Sequence, residues 1–223
     1  MCGRFALYTP QEAVVRLFRL DDAAPLSPRY NIAPTQPVLA VRADEPAGRE
    51  ARMLRWGLVP FWAKDTGIGS RMINARGETI AEKPAFRQAF RRRRCLIPAD
   101  GFYEWQKVPG GKQPWFISAR DEVPLAFAGL WERWDNRGTE DPVESCTIVT
   151  TAANATLAPL HDRMPVILGA DAWDSWLAAD TPSATLLDML RPAANDLLAA
   201  RPVSRRVNSP ANDGPDLVSE ASA

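Results

Sequence analysis

Between residues 94 and 153 the chain is almost entirely strand-forming, and this run constrains the fold more than any other feature. Four segments, RCLIPADGFYEW, QPWFISA, LAFAGLWERW and SCTIVTTAA, are rich in β-branched and aromatic residues. VPGGK and charged turns separate them, as in antiparallel hairpins. Two further strands are expected upstream, in VLAVRA and RMLRWGLVPFW, and two downstream, in RMPVIL and at the edge in RPVSRRVN. Helices are few. TPQEAVVRLF has Thr9 as a cap, Pro10 at the first helical position and Glu12 completing a capping box, with Val14, Leu17 and Phe18 on one face. AFRQAFRRRR reads as a short helix, DAWDSWLAA places Trp173, Trp176 and Leu177 together, and TPSATLLDMLR starts on a second Thr-Pro cap. Strands that do not alternate with helices favour α+β over a doubly wound fold, with a largely antiparallel, barrel-like sheet core and peripheral helices. No linker divides the 223 residues, so residues 1–208 are expected to form a single domain. The polar tail 209–223 is expected to be disordered.

Composition excludes several functions. No apolar run approaches the roughly 18–20 residues of a membrane span. The N-terminus lacks the apolar stretch of a secretory leader, so a cytoplasmic protein is expected. Cys2, Cys95 and Cys146 form no CxxC pair, and one histidine, His161, is too few for a familiar zinc site; no metal and no cofactor are expected. GxGxxG, P-loop and HExxH motifs are absent. Net charge is zero, but residues 1–120 carry an excess of nine positive charges and residues 121–223 nine negative. Either a basic surface attracts a phosphate backbone, or the halves pair with each other in the fold.

Five places carry reactive or ligand-binding groups. In MCGRF, loss of Met1 would leave Cys2 with a free α-amine beside its thiol. Such a 1,2-aminothiol condenses with an aldehyde and closes a thiazolidine; the alternative is a frayed terminus. In HDRMP, His161 is the one side chain whose ordinary pKa is near neutrality, and Arg163 lies two residues on; the alternative is a structural histidine. Glu104 in ADGFYEW is a general acid/base if it points inward and an ordinary carboxylate if outward. Asn74 and Arg76 in INARGET share one face of an extended segment, or belong to a polar loop. Trp62, after a Pro-Phe turn, can stack on a base, whereas most of the eight tryptophans belong to the core; Arg91 to Arg94 can be a solvated face.

MCGRF, NIAPTQ, WGLVPFW, NARGET, CLIPADGFYEW and HDRMPVIL occur in the order and at the spacing of the SRAP family (SOS response-associated peptidase), which the chain resembles from Met1 to about Asn208. The resemblance implies a mixed α/β structure with a barrel-like antiparallel core. It implies a covalent crosslink between the N-terminal cysteine and the ring-opened aldehyde of an abasic site in single-stranded DNA. By motif position, Cys2 matches the nucleophile and Asn74, Glu104 and His161 the polar active-site residues. Arg4, Arg71, Arg76 and Arg163, with Trp62 and Trp105, match the DNA-binding residues. The partner implied is single-stranded DNA containing abasic sites, bound by a monomer that joins the nucleoid when on DNA. Two rival functions remain: a thiol peptidase in which Cys2 is an N-terminal nucleophile and Met1 is lost by autoproteolysis, and a non-covalent reader of damaged or modified DNA.

Overall fold

The computed structural model describes residues 2–44, 48–135 and 142–221. In chain order the strands are β1 (Phe5–Leu7), β2 (Arg29–Ile32), β3 (Pro37–Asp44), β4 (Gly48–Trp56), β5 (Asn74–Arg76), β6 (Arg94–Ala99), β7 (Gly101–Val108), β8 (Gly111–Ala119), β9 (Leu125–Trp134), β10 (Val143–Ala152), β11 (Arg163–Pro165) and β12 (Leu198–Pro202). The helices are α1 (Gln11–Phe18), α2 (Arg87–Arg92), α3 (Trp173–Leu177) and α4 (Ser183–Asp188). The chain is α+β with a barrel-like core, as the strand pattern implied.

The barrel forms around β10. One edge of β10 pairs with β4 and then β5, both parallel; the other pairs with β9 and then β11, both antiparallel. Antiparallel pairings of β4 with β3, β3 with β6 and β6 with β9 complete a closed ring of five strands, β10-β4-β3-β6-β9. The two parallel contacts are the only departures from an antiparallel barrel among the described residues. A second sheet, in the order β12-β8-β7-β1-β2, is antiparallel throughout. It packs on the barrel through Phe5 and Phe102, whose rings meet Phe127 edge-on at 6.1 and 5.8 Å; Phe5 also meets Trp56 at 5.1 Å. All four are buried, and side chains of this size contribute about 1.5–3 kcal/mol each when removed from water. This aromatic junction fixes the sheet that carries Cys2 and Glu104 against the barrel that carries Asn74.

RCLIPADGFYEW is two strands rather than one. β6 belongs to the barrel and β7 to the second sheet, and the chain changes sheet at Asp100. The Asp100 carboxylate accepts the Tyr8 and Thr9 N–H groups and the Thr9 hydroxyl. Next to it, a Cβ on Gly101 would lie 2.4 Å from the Phe116 ring. Thr9 is therefore taken by Asp100 and does not cap α1; Pro10 holds the cap position. The second Thr-Pro cap fails similarly, because the Thr181 hydroxyl donates to the Ser175 carbonyl.

A further close approach shapes the loop after β4. Gly57 has φ +128°, and a Cβ there would sit 2.6 Å from the Gly69 carbonyl oxygen. A Cβ on Gly69 would sit 2.5 Å from the Gly57 oxygen. Leu58 N–H bonds the Met72 carbonyl, Val59 N–H the Ser145 hydroxyl and Trp134 Nε1 the Ala63 carbonyl. The arch between the two glycines is thus pinned at its base and presents Phe61 and Trp62 at its tip.

The C-terminal stretch expected to be disordered is packed as far as residue 221. Leu217 is fully buried with Tyr103, Phe116, Val203 and Val207. Its polar composition conceals this, because backbone carbonyls are satisfied by distant side chains: Asn31 Nδ2 donates to Ser209 and Asn212, and Arg201 Nε to Val218. Residues 222 and 223 lie outside the described residues. Among the described residues no helix is long and apolar enough to cross a membrane.

Candidate active site

Cys2 precedes β1 and is fully buried. Its carbonyl accepts a 2.7 Å hydrogen bond from Asn74 Nδ2. Asn74 opens β5, where Ala75 turns into the core while Asn74 and Arg76 turn the other way, as a strand's two-residue period requires. That bond ties the segment leading into β1 to the barrel. Asn74 Oδ1 is buried and has no hydrogen-bond partner among the described residues. Burial and the Glu104 charge both push the Cys2 thiol pKa well up, so the sulfur is a neutral thiol near pH 7.

Glu104 lies on β7, which pairs with β1 through Phe5 opposite Phe102 and Tyr103 N–H bonded to the Arg4 carbonyl at 2.9 Å. This register brings Glu104 level with the residues just before β1. Glu104 follows Phe102 on the inward face and is 4% exposed. The outward alternative is excluded. Burial raises its carboxyl from the ordinary 4.5 to about 7, and the Asp162 charge adds to the effect. Glu104 is therefore divided between acid and base at neutral pH, as proton transfer in both directions requires.

His161 ends a turn that starts at Asn154, and its N–H donates to the Leu157 carbonyl. Gln106 Nε2 of β7 reaches the Pro159 carbonyl of this turn at 3.4 Å, placing the turn beside Glu104's strand. His161 Nδ1 accepts the Arg163 N–H at 3.0 Å and lies 2.8 Å from Asp162 Oδ1. The two contacts need different protonation states. A neutral ring that accepts from Arg163 carries its proton on Nε2; donating Nδ1–H to Asp162 takes either the other neutral tautomer or the doubly protonated ring. Burial lowers the His161 pKa and Asp162 opposes it, so the neutral form prevails near pH 7.

The expected DNA-binding residues divide into two groups. Arg71, ending the 3-10 turn Thr66–Arg71, and Arg76, ending β5, are exposed and form no ion pair among the described residues. Trp62 and Phe61 are 48% and 55% exposed. The others already have partners. Arg4 donates to Asn31 Oδ1 at 2.7 Å and the Val207 carbonyl at 2.9 Å, with its guanidinium 5.9 Å from the Trp105 ring centre. Trp105 Nε1 donates to Asn208 Oδ1 at 2.7 Å. Arg4 and Trp105 line an open pocket with Lys112, Arg205 and Asn208, on the face of β7 opposite Glu104. Arg163 is forked onto the Glu78 carboxylate and also donates to the Thr150 carbonyl at 2.8 Å. A phosphate at Arg163 would compete with Glu78.

The charge asymmetry between the halves is met in part within the fold. Arg29, Arg42, Arg49 and Arg93 pair with Asp213, Glu144, Asp174 and Glu132, so much of it is internal. In the arginine run only Arg91 and Arg92 are exposed, while Arg94 is buried on the Phe90, Trp176 and Ala178 carbonyls. Among the described residues no three His, Cys, Asp or Glu side chains are grouped to hold a metal. Sequence reasoning missed Asp162, Glu78 and Asn31. Asp162 and Glu78 sit inside the HDRMP and NARGET motifs, so their motif membership was the available signal.

Cys2 is thus buried near the chain start, tied by Asn74 to the barrel, with Glu104 on the strand beside it. The chain belongs to the SRAP family: the model for SOS response associated peptidase (SRAP) matches residues 1–210. It is 43% identical to the abasic site processing protein YoqW of Bacillus subtilis, over 98% of this chain and 99% of that one. It is 32% identical to the abasic site processing protein YedK of Escherichia coli, over the same shares. It is 35% identical to the abasic site processing protein HMCES of Gallus gallus, over 86% of this chain and 66% of that one. A crystal structure of a protein from Bacteroides thetaiotaomicron superposes with a TM-score of 0.89 at 26% identity, covering 99% of this chain and all of that one.

Proposed function

We propose that this protein processes abasic sites in single-stranded DNA by crosslinking to them through Cys2, in response to DNA damage. The observation that carries the reading is the placement of Cys2: its carbonyl on Asn74, its neighbour Glu104 titrating at about 7. The names of the relatives support the substrate.

Removal of Met1 frees the α-amine of Cys2. An α-amine has an ordinary pKa of about 7.7–8.0, so a useful fraction is neutral near pH 7.5. The amine attacks the C1 aldehyde of the opened sugar. The carbinolamine then takes a proton, for which Glu104 is poised, and loses water to give a Schiff base. The neutral Cys2 thiol adds to the imine carbon, its proton passes to nitrogen, and the thiazolidine ring closes. One water leaves in all, and no electron acceptor is needed. Burial and Glu104 keep sulfur protonated, so amine attack precedes ring closure; the same effect disfavours the thiolate that a peptidase nucleophile needs. His161 assists sugar opening with its Nε2 proton, and Asn74 holds the cysteine main chain still. Each molecule forms one adduct, so the chemistry is single-use.

Arg71 and Arg76 would take phosphates, and Phe61 and Trp62 would stack on bases flanking the missing one, each stack contributing about 1–3 kcal/mol. The protein would act as a monomer. It would work in the cytoplasm, on the nucleoid once bound.

Intact mass after mixing with a single-stranded abasic-site oligonucleotide tests this. The expected species is protein without Met1 plus oligonucleotide less one water, surviving boiling in detergent. Binding without any covalent species would refute it and favour a non-covalent reader.

A further inference from the structure

We propose that Glu78 is a positioning residue for His161, acting through Arg163 to hold the ring in the tautomer protonated on Nε2. The inference rests on the role given to His161 above, though its central measurement does not.

At Nδ1 of His161 one main-chain group bears on the tautomer. The Arg163 N–H, 3.0 Å from Nδ1, makes that nitrogen an acceptor and sends the neutral ring's proton to Nε2. Arg163 is the first residue of β11, held by its register opposite Ala152, with one further main-chain bond beyond it from the Ala153 N–H to the Asp162 carbonyl. Strand ends fray, so register alone is a weak anchor for this N–H. The Arg163 side chain supplies a second anchor. Both terminal nitrogens meet the two Glu78 oxygens, one at 2.8 Å, and the same guanidinium reaches the Thr150 carbonyl on β10. Paired oxygens on a guanidinium fork fix direction as well as distance. Glu78 sits in the 3-10 turn Gly77–Thr79 that follows β5 directly, so the strand presenting Asn74 and Arg76 also anchors the turn presenting His161.

The ion pair has a second consequence. Asp162 Oδ1 lies 2.8 Å from His161 Nδ1 and competes with the Arg163 N–H for that nitrogen. A turn loosened at Arg163 lets the neutral ring place its proton on Nδ1, facing Asp162. Nε2 then becomes an acceptor and the proton available for the sugar is lost. Glu78 is thus the weight against the wrong tautomer. It also occupies Arg163, keeping that fork from DNA.

His161 is the only histidine, so its two ring nitrogens can be read by 15N NMR without assignment. In the full chain above the ring's titration, Nε2 should appear protonated and Nδ1 bare. Glu78→Gln keeps the shape and removes the charge; the Glu78 side chain is 51% exposed, so the variant is expected to fold. It should give a mixture of tautomers and slow crosslinking to an abasic-site oligonucleotide roughly 10- to 100-fold, the range found when a partner that orients a metal-ligating histidine is lost. Its affinity for an intact single strand should be unchanged or higher, because Arg163 is released. Glu78→Asp keeps the charge and should recover much of both the tautomer and the rate. A Glu78→Gln protein with an unaltered Nε2–H tautomer overturns the proposal, whatever its rate. Weaker affinity for the intact strand with a normal tautomer also overturns it, making Glu78 part of the DNA surface instead. The NMR reading stands even where the wild-type protein forms no adduct, so failure of the crosslinking reading is separable from failure of this one.

Discussion

Glu104→Gln should make the protein more stable at alkaline pH while disabling it. Folded Glu104 keeps its proton up to about pH 7, whereas an exposed carboxyl releases it near 4.5. Between these values the folded state binds more protons than the unfolded one, so stability falls as pH rises through the window. Each pH decade is worth about 1.4 kcal/mol, so the buried charge costs about 3 kcal/mol once Glu104 is fully ionised. Glutamine carries no charge and avoids that cost. Relative to wild type, Glu104→Gln should gain nothing at pH 4, about half the effect near pH 6 and about 3 kcal/mol at pH 8–9. For a chain of this size that is a rise of roughly 6–12 °C in Tm. The crosslinking rate should fall by about 10²–10⁴-fold, because the amide neither gives nor takes a proton. Thermal melts of both proteins at pH 4, 6 and 9 test the stability claim. A variant less stable than wild type at pH 9, or a difference independent of pH, would show that Glu104 is not a carboxylate ionised at a cost.

Further predictions concern the surfaces around the site. Arg76→Ala should lower affinity for intact single strands and make the log–log salt dependence shallower by about 0.7, one phosphate contact; titrations at several salt concentrations measure it, and an unchanged slope removes Arg76 from the interface. Gly69→Ala forces a Cβ to within 2.5 Å of the Gly57 oxygen, so the arch bearing Trp62 must shift. Stability should drop by about 1–3 kcal/mol and Trp62 stacking should weaken, read by melts and by tryptophan fluorescence on adding oligonucleotide. Full stability would mean that the arch yields freely.

Much of the candidate site was legible because the motifs are short and contiguous while their chemistry is local. INARGET, ADGFYEW and HDRMP each named a residue that the fold places beside Cys2 or in the adjoining turn. The barrel class was legible from the density of strands. What escaped notice depends on long-range partners. Nothing in RCLIPADGFYEW marks a change of sheet, since both halves are apolar and the pivot Asp100 is held by Tyr8 and Thr9, over 90 residues away in sequence. Arg163 reads as a phosphate ligand until Glu78 is found on its fork, 85 residues earlier. The tail reads as disordered because Leu217 and Val218 are a single apolar pair in a polar stretch, and Asn31 acts from across the fold. The closing of the barrel by β10 joins strands whose parallel pairing no hairpin signal announces.

The central claim is that Cys2 reacts through two groups in sequence, amine then sulfur. Cys2→Ser separates them, because it keeps the amine and removes the thiol that closes the ring. With an abasic-site oligonucleotide, wild type should give an adduct stable to heat and detergent without reduction. Cys2→Ser should give none under those conditions, yet a full-yield adduct when borohydride reduces the Schiff base. A stable Cys2→Ser adduct of wild-type yield without borohydride would contradict the thiazolidine, and the loss of both adducts would contradict attack by the amine.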